Sequence, residues 1–291
     1  MLNALTIDVE EYFHAHAYER VIDRATWDDL PSRVVNNTHR ILDLLDAHDT
    51  RATFFVLGWV AERQPALVRA IAERGHEVAS HGHAHQLVYS QGPEAFAEDL
   101  LRARAALRAA MGDDATVLGY RAPAFSLTND TPWAFEVLRE HGFVYDSSVL
   151  PLADESETRT SSLRGGKRSG VSGVGRFASR LPSDLWEFPL STVPIRGRNW
   201  TVAGGGMFRL LPLRVTEWLI DRINREGQPA IVYLHPWELD PDEPHVPEAP
   251  PLARFRHRLN LAKTERRLGQ LLERGRFGPM RDVFASQLAA A

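Results

Sequence analysis

Short apolar runs alternate with amphipathic helical patterns through the first 150 residues of the chain. The runs at residues 5–9, 51–56, 76–80 and 116–120 predict strands. Residues 34–45 and 96–107 instead place mainly apolar side chains on one helical face, which predicts two helices. Gly75 and Pro132 stand where a helix end and a helix start are expected. Repeated strand–helix units of this length predict a parallel sheet, either open or closed as a barrel.

The alternation stops at residues 151–181, which have no hydrophobic period and are rich in glycine. We predict a long loop there, and long loops in compact domains are usually functional or disordered. The loop contains two acidic residues, Glu155 and Glu157, and six basic residues: Arg159, Arg164, Lys167, Arg168, Arg176 and Arg180. One hypothesis is that the loop closes over an anionic glycan or the pyrophosphate of a lipid-linked precursor. The alternative is a solvated loop without a ligand.

The second half of the chain returns to regular patterns. Residues 185–188 and 230–234 predict strands, residues 213–225 a helix, and residues 251–275 one or two basic helices. We expect a single domain over residues 1–291, with its motif-bearing part ending near residue 240. The C-terminal helical extension, residues 251–291, would either cap the main body or mediate assembly.

Composition narrows the chemistry open to this chain. Its 291 residues include no cysteine, which excludes disulfides and thiolate metal ligands, so a metal would need histidine and carboxylate ligands. The net charge of -4 argues against non-specific binding to nucleic acid. No apolar run approaches the roughly 20 residues that span a bilayer, and the N-terminus has no signal-peptide pattern. We therefore expect a cytoplasmic protein without a transmembrane segment.

Two groups of polar residues follow predicted strands. Asp8 and Glu10 are two residues apart at the end of the first strand, so both carboxylates can face one pocket. Burying two acids together is unfavourable by several kcal/mol unless a cation compensates them. His81 and His85 would face the same way on a helical turn, with His83 pointing elsewhere. Each group alone could be an exposed cluster, but together they favour a metal site with open positions for water and substrate.

At these residues the chain resembles the NodB-like polysaccharide deacetylases, carbohydrate esterase family 4. Five segments match the motifs of that family in their usual order: Thr-Ile-Asp-Val-Glu at 6–10, Ser-His-Gly-His-Ala-His at 80–85, Arg-Ala-Pro-Ala-Phe at 121–125, Tyr-Asp-Ser-Ser at 145–148 and Leu-His-Pro at 234–236. The resemblance implies a distorted (β/α) barrel with fewer than eight complete units and a site at the carboxyl ends of its strands.

The resemblance also implies a role for each matching residue. Asp8 would be the catalytic base, held by Arg121, and His235 the general acid. Glu10, His81 and His85 would bind a divalent metal, zinc first, with cobalt, nickel or iron as alternatives. Five residues are expected to contact the substrate: the resemblance assigns Ala124 a role through its backbone N–H, Asp146 is a further candidate, and the aromatic residues Phe125, Trp237 and Tyr12 are candidate surfaces on which a pyranose ring could stack. Asp146 could either orient His235 or bind the sugar.

The chain departs from the usual family pattern in two places. Most members have adjacent aspartates in the first motif, whereas Val9 here separates Asp8 from Glu10. The fourth motif also lacks the tryptophan that often lines the acetyl pocket. Residues 204–212 and 235–238 look like those of the deacetylases associated with exopolysaccharide operons and the exosortase/PEP-CTERM system. The resemblance therefore predicts removal of acetyl groups from an N-acetylhexosamine-containing glycan.

Two other functions fit the same residues. Relatives on this scaffold hydrolyse cyclic amides or ureides, and a fold does not fix a function. The third candidate is an inactive homologue that only binds a glycan. The presence of the base, metal ligands, arginine and terminal histidine together argues against it.

Overall fold

The computed structural model describes residues 1–151, 171–202 and 204–289. Its strands are β1 (Asn3–Val9), β2 (Thr53–Val56), β3 (Glu77–Ser80), β4 (Gly119–Tyr120), β5 (Tyr145–Asp146), β6 (Ser179–Arg180), β7 (Trp186–Glu187), β8 (Thr192–Ile195), β9 (Arg198–Thr201), β10 (Ile231–Leu234) and β11 (Phe277–Gly278). Its helices are α1 (Val34–Ala47), α2 (Gly58–Arg63), α3 (Pro65–Glu73), α4 (Pro93–Met111), α5 (Trp133–Glu140), α6 (Gly205–Leu210), α7 (Leu213–Arg225), α8 (Pro251–Arg258), α9 (Leu261–Arg274), α10 (Met280–Val283) and α11 (Ala285–Leu288).

One curled sheet organises the molecule. Its strand order is β10-β1-β2-β3-β4-β5-β7-β6, and each neighbouring pair is parallel except the last, β7 with β6. Among the described residues the two end strands do not pair with each other, so the sheet is a half-barrel. This confirms the predicted barrel with fewer than eight complete units. The β8–β9 hairpin, which the sequence patterns did not predict, forms a separate sheet.

Strand alternation sorts the side chains between two cores. Leu5, Ile7 and Val9 of β1 belong to the large core between the sheet and its helices. Ala4 belongs to a smaller inner core with Phe55 and Tyr145. Asp8 shares the inner parity with Ala4, so the alternation that fills the half-barrel also aims this carboxylate into its carboxyl end.

The C-terminal segment covers part of the inner core. Met280 of α10 and the nearby Phe284 are both buried there, and the Phe284 ring stacks on Phe188 with centroids 4.0 Å apart. This end of the extension therefore packs against the half-barrel, as a cap would. No helix in the described parts of the chain combines the length and the apolar character needed to cross a membrane.

Most of the predicted loop at residues 151–181 lies outside the described residues, including Arg159, Arg164, Lys167 and Arg168. Two of its basic residues are described. Arg176 forms an ion pair with Glu226 at 2.8 Å, and Arg180 with Asp184 at 2.6 Å. The short strand β6 also falls within the predicted loop.

Candidate active site

The carboxyl ends of β1, β3, β4 and β10 meet around a cavity of about 400 Å³. Asp8 closes β1 and Glu10 follows it, while His81 and His85 follow β3, Arg121 follows β4 and His235 follows β10. Five of these six residues are buried, and His235 is partly exposed. Parallel strands bring their carboxyl ends to one edge, so segments far apart in sequence share this pocket.

Glu10, His81 and His85 form a compact group. One ligand atom from each side chain lies within 4.8 Å of the other two. Glu10 Oε2 is 2.9 Å from His85 Nε2 and 4.0 Å from His81 Nε2. The structure therefore brings together the three predicted metal ligands, as two imidazoles and one carboxylate.

The hydrogen bonds around this group fit a divalent cation. His81 Nδ1 lies 2.8 Å from the carbonyl oxygen of Arg121, so its N–H donates there and Nε2 faces Glu10 with a free lone pair. Glu10 Oε2 is buried but accepts no well-aligned hydrogen bond from the described residues. A cation in the group would satisfy this oxygen, which is otherwise costly to bury. Trp237 Nε1 donates to the other oxygen, Oε1, at 3.3 Å.

The protonation states suit metal binding as well. Burial lowers the pKa of His81 to about 4, so its ring is neutral at pH 7, as a ligand must be. Burial raises the pKa of Glu10, but the nearby imidazoles, first of all that of His85 and then those of His235 and His81, lower it by more. The net effect holds the Glu10 pKa well below its usual range, and the carboxylate is ionised.

The segment between His81 and His85 is an irregular turn, so the predicted helical turn is wrong. Gly82 and His85 both have positive φ angles, 74° and 50°, which interrupt a right-handed helix. Asp99 of α4 holds this turn by accepting the backbone N–H groups of His83 at 2.8 Å and Ala84 at 3.2 Å. His83 points away as expected, with Nε2 3.0 Å from Glu62.

Replacing Asp99 by alanine is expected to weaken metal binding by about 10- to 100-fold, the range typical of residues that support metal ligands. Without its carboxylate the N–H groups of His83 and Ala84 lose their acceptor, and the positive φ at His85 is no longer stabilised. Zinc titration with a competing chelator measures the change. Glu98→Ala, an exposed site on the same helix, is the control. Equal zinc affinities in both variants would remove Asp99 from this role.

Arg121 is fully buried and binds Asp8 directly. One of its nitrogens, Nη1, donates to Asp8 Oδ1 at 2.7 Å and to Thr6 Oγ1 at 2.8 Å. The other two donate to Ser147, Nε to its carbonyl oxygen and Nη2 to its hydroxyl. The guanidinium group also lies over the Phe55 ring, 4.0 Å from its centroid. Arg121 is therefore a buried cation, and its predicted pairing with Asp8 is present.

His235 lies beside both carboxylates. Its Nε2 is 3.9 Å from Asp8 Oδ2 and 3.6 Å from Glu10 Oε1. Burial lowers its pKa, but a hydrogen bond to Glu238 and the charges of Glu10, Glu238 and Asp8 raise it to about 9. The ring is therefore protonated near neutral pH and can donate a proton.

Three of the five predicted substrate contacts line the cavity: Ala124, Phe125 and Trp237. Ala124 and Phe125 have consecutive positive φ angles, 51° and 53°, a strained turn of the kind that clusters at functional sites. The N–H groups of Phe125 and Ser126 donate to nearby carbonyls, whereas that of Ala124 has no acceptor among the described residues.

Tyr12 and Asp146 lie outside the residues that line the cavity. Tyr12 is buried in an aromatic cluster, with its ring edge-on to Phe13. Asp146 is fully buried and accepts hydrogen bonds from the N–H and the hydroxyl of Ser148. No contact joins Asp146 to His235 in the described part of the structure, and their predicted roles therefore receive no geometric support here.

The cavity also includes residues that the motif analysis did not assign. Arg209, Tyr233, Glu238 and Arg256 line it, together with His16. Arg209 and Glu238 belong to the two segments, residues 204–212 and 235–238, that the sequence singled out without giving their side chains a role. The resemblance of both segments to one group of deacetylases was the only available signal, since nothing in either segment shows that the two side chains touch.

Fold and site together define an α/β half-barrel protein with a candidate metal centre at the carboxyl ends of its strands. Residues 24–145, which include His81, His85 and Arg121, match the family model described as polysaccharide deacetylase. Residues 160–285, which include His235, match a model described as a domain of unknown function, DUF3473. Asp8 and Glu10 precede both matched regions.

Curated relatives point the same way. The chain is 39% identical over 98 residues to a chitooligosaccharide deacetylase of Sinorhizobium fredii, covering 34% of this chain and 44% of that protein. It is 39% identical over 79 residues to a peptidoglycan-N-acetylglucosamine deacetylase of Bacillus cereus, covering 26% and 28%. The chain thus matches less than half the length of these relatives. Over these parts of its length, the chain is similar to polysaccharide deacetylases.

Solved structures agree on the fold alone. A candidate polysaccharide deacetylase from Mycobacterium smegmatis superposes with a TM-score of 0.60 at 20% identity, over 99% of this chain and 89% of that one. A PuuE allantoinase superposes with a TM-score of 0.57 at 15% identity, over 98% and 89%. The half-barrel is therefore shared by proteins named for different activities.

Proposed function

We propose that this protein is a metal-dependent hydrolase that removes N-acetyl groups from a glycan containing N-acetylhexosamine, releasing acetate. One observation carries the proposal: Glu10, His81 and His85 converge beside Asp8, which a buried arginine holds in place. The two curated relatives are named as deacetylases of N-acetylated sugar polymers, which supports the substrate class.

The proposed ligands are the Glu10 carboxylate and the His81 and His85 rings. A divalent cation held there supplies Lewis acidity, which polarises an acetamide carbonyl and lowers the pKa of water towards ~7. Zinc is the proposed ion, and cobalt, nickel or iron would suit the same ligands.

The remaining steps use the residues of the chain. Asp8, kept oriented by Arg121, accepts a proton from the attacking water. The backbone N–H of Ala124, which has no acceptor among the described residues, donates to the acetyl oxygen as negative charge develops on it. His235 donates a proton to the leaving amine. Phe125 provides an apolar surface in the cavity on which a sugar ring can stack, whereas the Trp237 ring already stacks with His235 and His257 and forms part of the wall.

We further propose that the glycan is an exopolysaccharide or its precursor. The two segments that resemble the exopolysaccharide-associated deacetylases both fall within residues 160–285, the region of the DUF3473 match. The described basic residues Arg176 and Arg180 are already paired with carboxylates, so a role of the loop in binding an anionic substrate depends on its other four.

Acetate release from oligomers of N-acetylglucosamine tests the proposal. Protein from which metal has been removed with a chelator is expected to be inactive. Addition of zinc, cobalt, nickel or iron is expected to restore acetate release. A cyclic ureide is assayed in parallel. Ureide hydrolysis without acetate release from any acetamido sugar would replace the proposal with the ureide hydrolase, and metal binding with neither activity would favour a glycan-binding protein.

A further inference from the structure

A buried carboxylate, that of Glu238, lies beside Nδ1 of His235, the ring nitrogen that points away from Asp8. Glu238 follows His235 by three residues, and the intervening 3₁₀ turn Pro236–Leu239 brings its Oε1 to 3.3 Å from His235 Nδ1. Glu238 is 1% exposed. The ring thus has a carboxylate on Nδ1 and the two carboxylates of Asp8 and Glu10 near Nε2.

Two residues of α6 fit around this carboxylate. Arg209 is buried, with Nη2 3.6 Å from Glu238 Oε1, and its Nη1 donates to the carbonyls of His257 and Leu259. Gly205 leaves the space that the carboxylate fills, because a Cβ built there would lie 1.7 Å from Glu238 Oε2. The segments 204–212 and 235–238 are therefore complementary, one supplying a cation and a gap and the other the carboxylate.

We propose that Glu238 is the positioning residue of His235, and that Gly205 and Arg209 hold Glu238 in place. By accepting the Nδ1 hydrogen, Glu238 fixes the ring so that Nε2 faces the cavity, as a carboxylate does for the histidine of a hydrolase triad. Asp146 does not fill this role, since its hydrogen bonds go to Ser148. The role of Glu238 in turnover rests on the proposed deacetylase function, whereas its control of the ring orientation does not.

Kinetics of two Glu238 variants test the role in turnover. Glu238→Ala is expected to lower kcat by about 10- to 100-fold with KM changed by less than about threefold, in line with other residues that support a reacting group. Glu238→Gln is expected to recover part of kcat, because its amide oxygen can still accept from Nδ1. Glu77→Gln is the control, because it removes another buried carboxylate. Glu77 begins β3, at the end of the strand opposite to His81, so kcat should be unchanged. A kcat for Glu238→Ala within about threefold of the unmodified protein overturns the proposal.

Coupling between the two segments gives a second test. Gly205→Ala alone should displace the Glu238 carboxylate and lower kcat as Glu238→Ala does. The double variant Gly205→Ala/Glu238→Ala should be no slower than Glu238→Ala, since the clash is then gone and the two changes remove one interaction. Additive losses would show that Gly205 acts independently of Glu238.

A measurement without turnover separates this inference from the deacetylase proposal. In protein labelled with ¹⁵N-histidine, His235 should show a downfield Nδ1 proton that exchanges slowly with water, identified by its absence in His235→Gln. The signal should disappear in Glu238→Ala and in Gly205→Ala. Gly206→Ala is the matched control for this spectrum, because its Cβ would meet nothing within 4 Å. An unchanged Nδ1 signal in Glu238→Ala contradicts the positioning role even if acetate release is never observed.

Discussion

Replacing Asp8 by asparagine is expected to lower kcat for acetate release by about 10²- to 10⁴-fold, the range of general acid–base contributions. Asparagine keeps the size of the side chain and an oxygen that accepts from Arg121, but it cannot take a proton from water. Metal content should stay near that of the unmodified protein, because Asp8 is not among the three clustered ligands. Acetate release and elemental analysis on the same preparation measure both quantities.

The Asp8 variant will also be less stable. Arg121 is fully buried, and removing the charged partner of a buried ion pair typically costs about 3–5 kcal/mol. Asp240→Asn is the control for this effect, since Asp240 is a buried aspartate paired with Arg33 at 2.8 Å. It should lower stability with little change in kcat. If Asp8→Asn deacetylates at the normal rate, another group is the base.

Replacing His81 by alanine is expected to remove bound metal from most of the molecules and reduce acetate release to background. Two protein ligands would remain where catalytic zinc sites usually have three. Added zinc should restore activity to the chelated unmodified protein but not to the variant. Elemental analysis of protein purified without chelator, followed by dialysis against defined zinc concentrations, gives the stoichiometry and the affinity.

The neighbouring His83 supplies the matched control for His81. It lies in the same turn and is equally buried, but its ring faces Glu62 instead of Glu10. His83→Ala should lose stability while retaining metal. Equal metal loss in the two variants would indicate that the turn as a whole, and not the His81 ring, determines binding.

The sequence predicted the strands that carry the site because each is an apolar run that ends in polar residues. It also predicted that Asp8, Glu10, His81, His85, Arg121 and His235 would meet, and the structure brings all six together. Resemblance supplied much of that prediction, since strand periodicity alone places residues on faces and cannot say which strands are neighbours.

Other parts of the site depend on contacts that no local pattern encodes. The turn at residues 81–85 was predicted as helical from the spacing of its histidines, but its shape depends on Asp99, which reaches it from a separate helix. Glu238 and Arg209 are far apart in the sequence, and they meet where Gly205 leaves room for the carboxylate. Asp146 matched a family motif, but its buried carboxylate accepts hydrogen bonds from Ser148 and does not contact His235.

The pairing of β1 with β10 has a consequence for the newly made protein. Ile7 lies beside Leu234, so the first and last motifs can become neighbours only after residue 234 has been synthesised. Domains form as their segments emerge from the ribosome, and a pairing across such a separation must wait for its second strand. A nascent chain that already carries Asp8, Glu10 and both histidines therefore still lacks His235 and the Trp237 bond to Glu10. Synthesis therefore delays assembly of this cavity until β10 and the residues directly after it have been made.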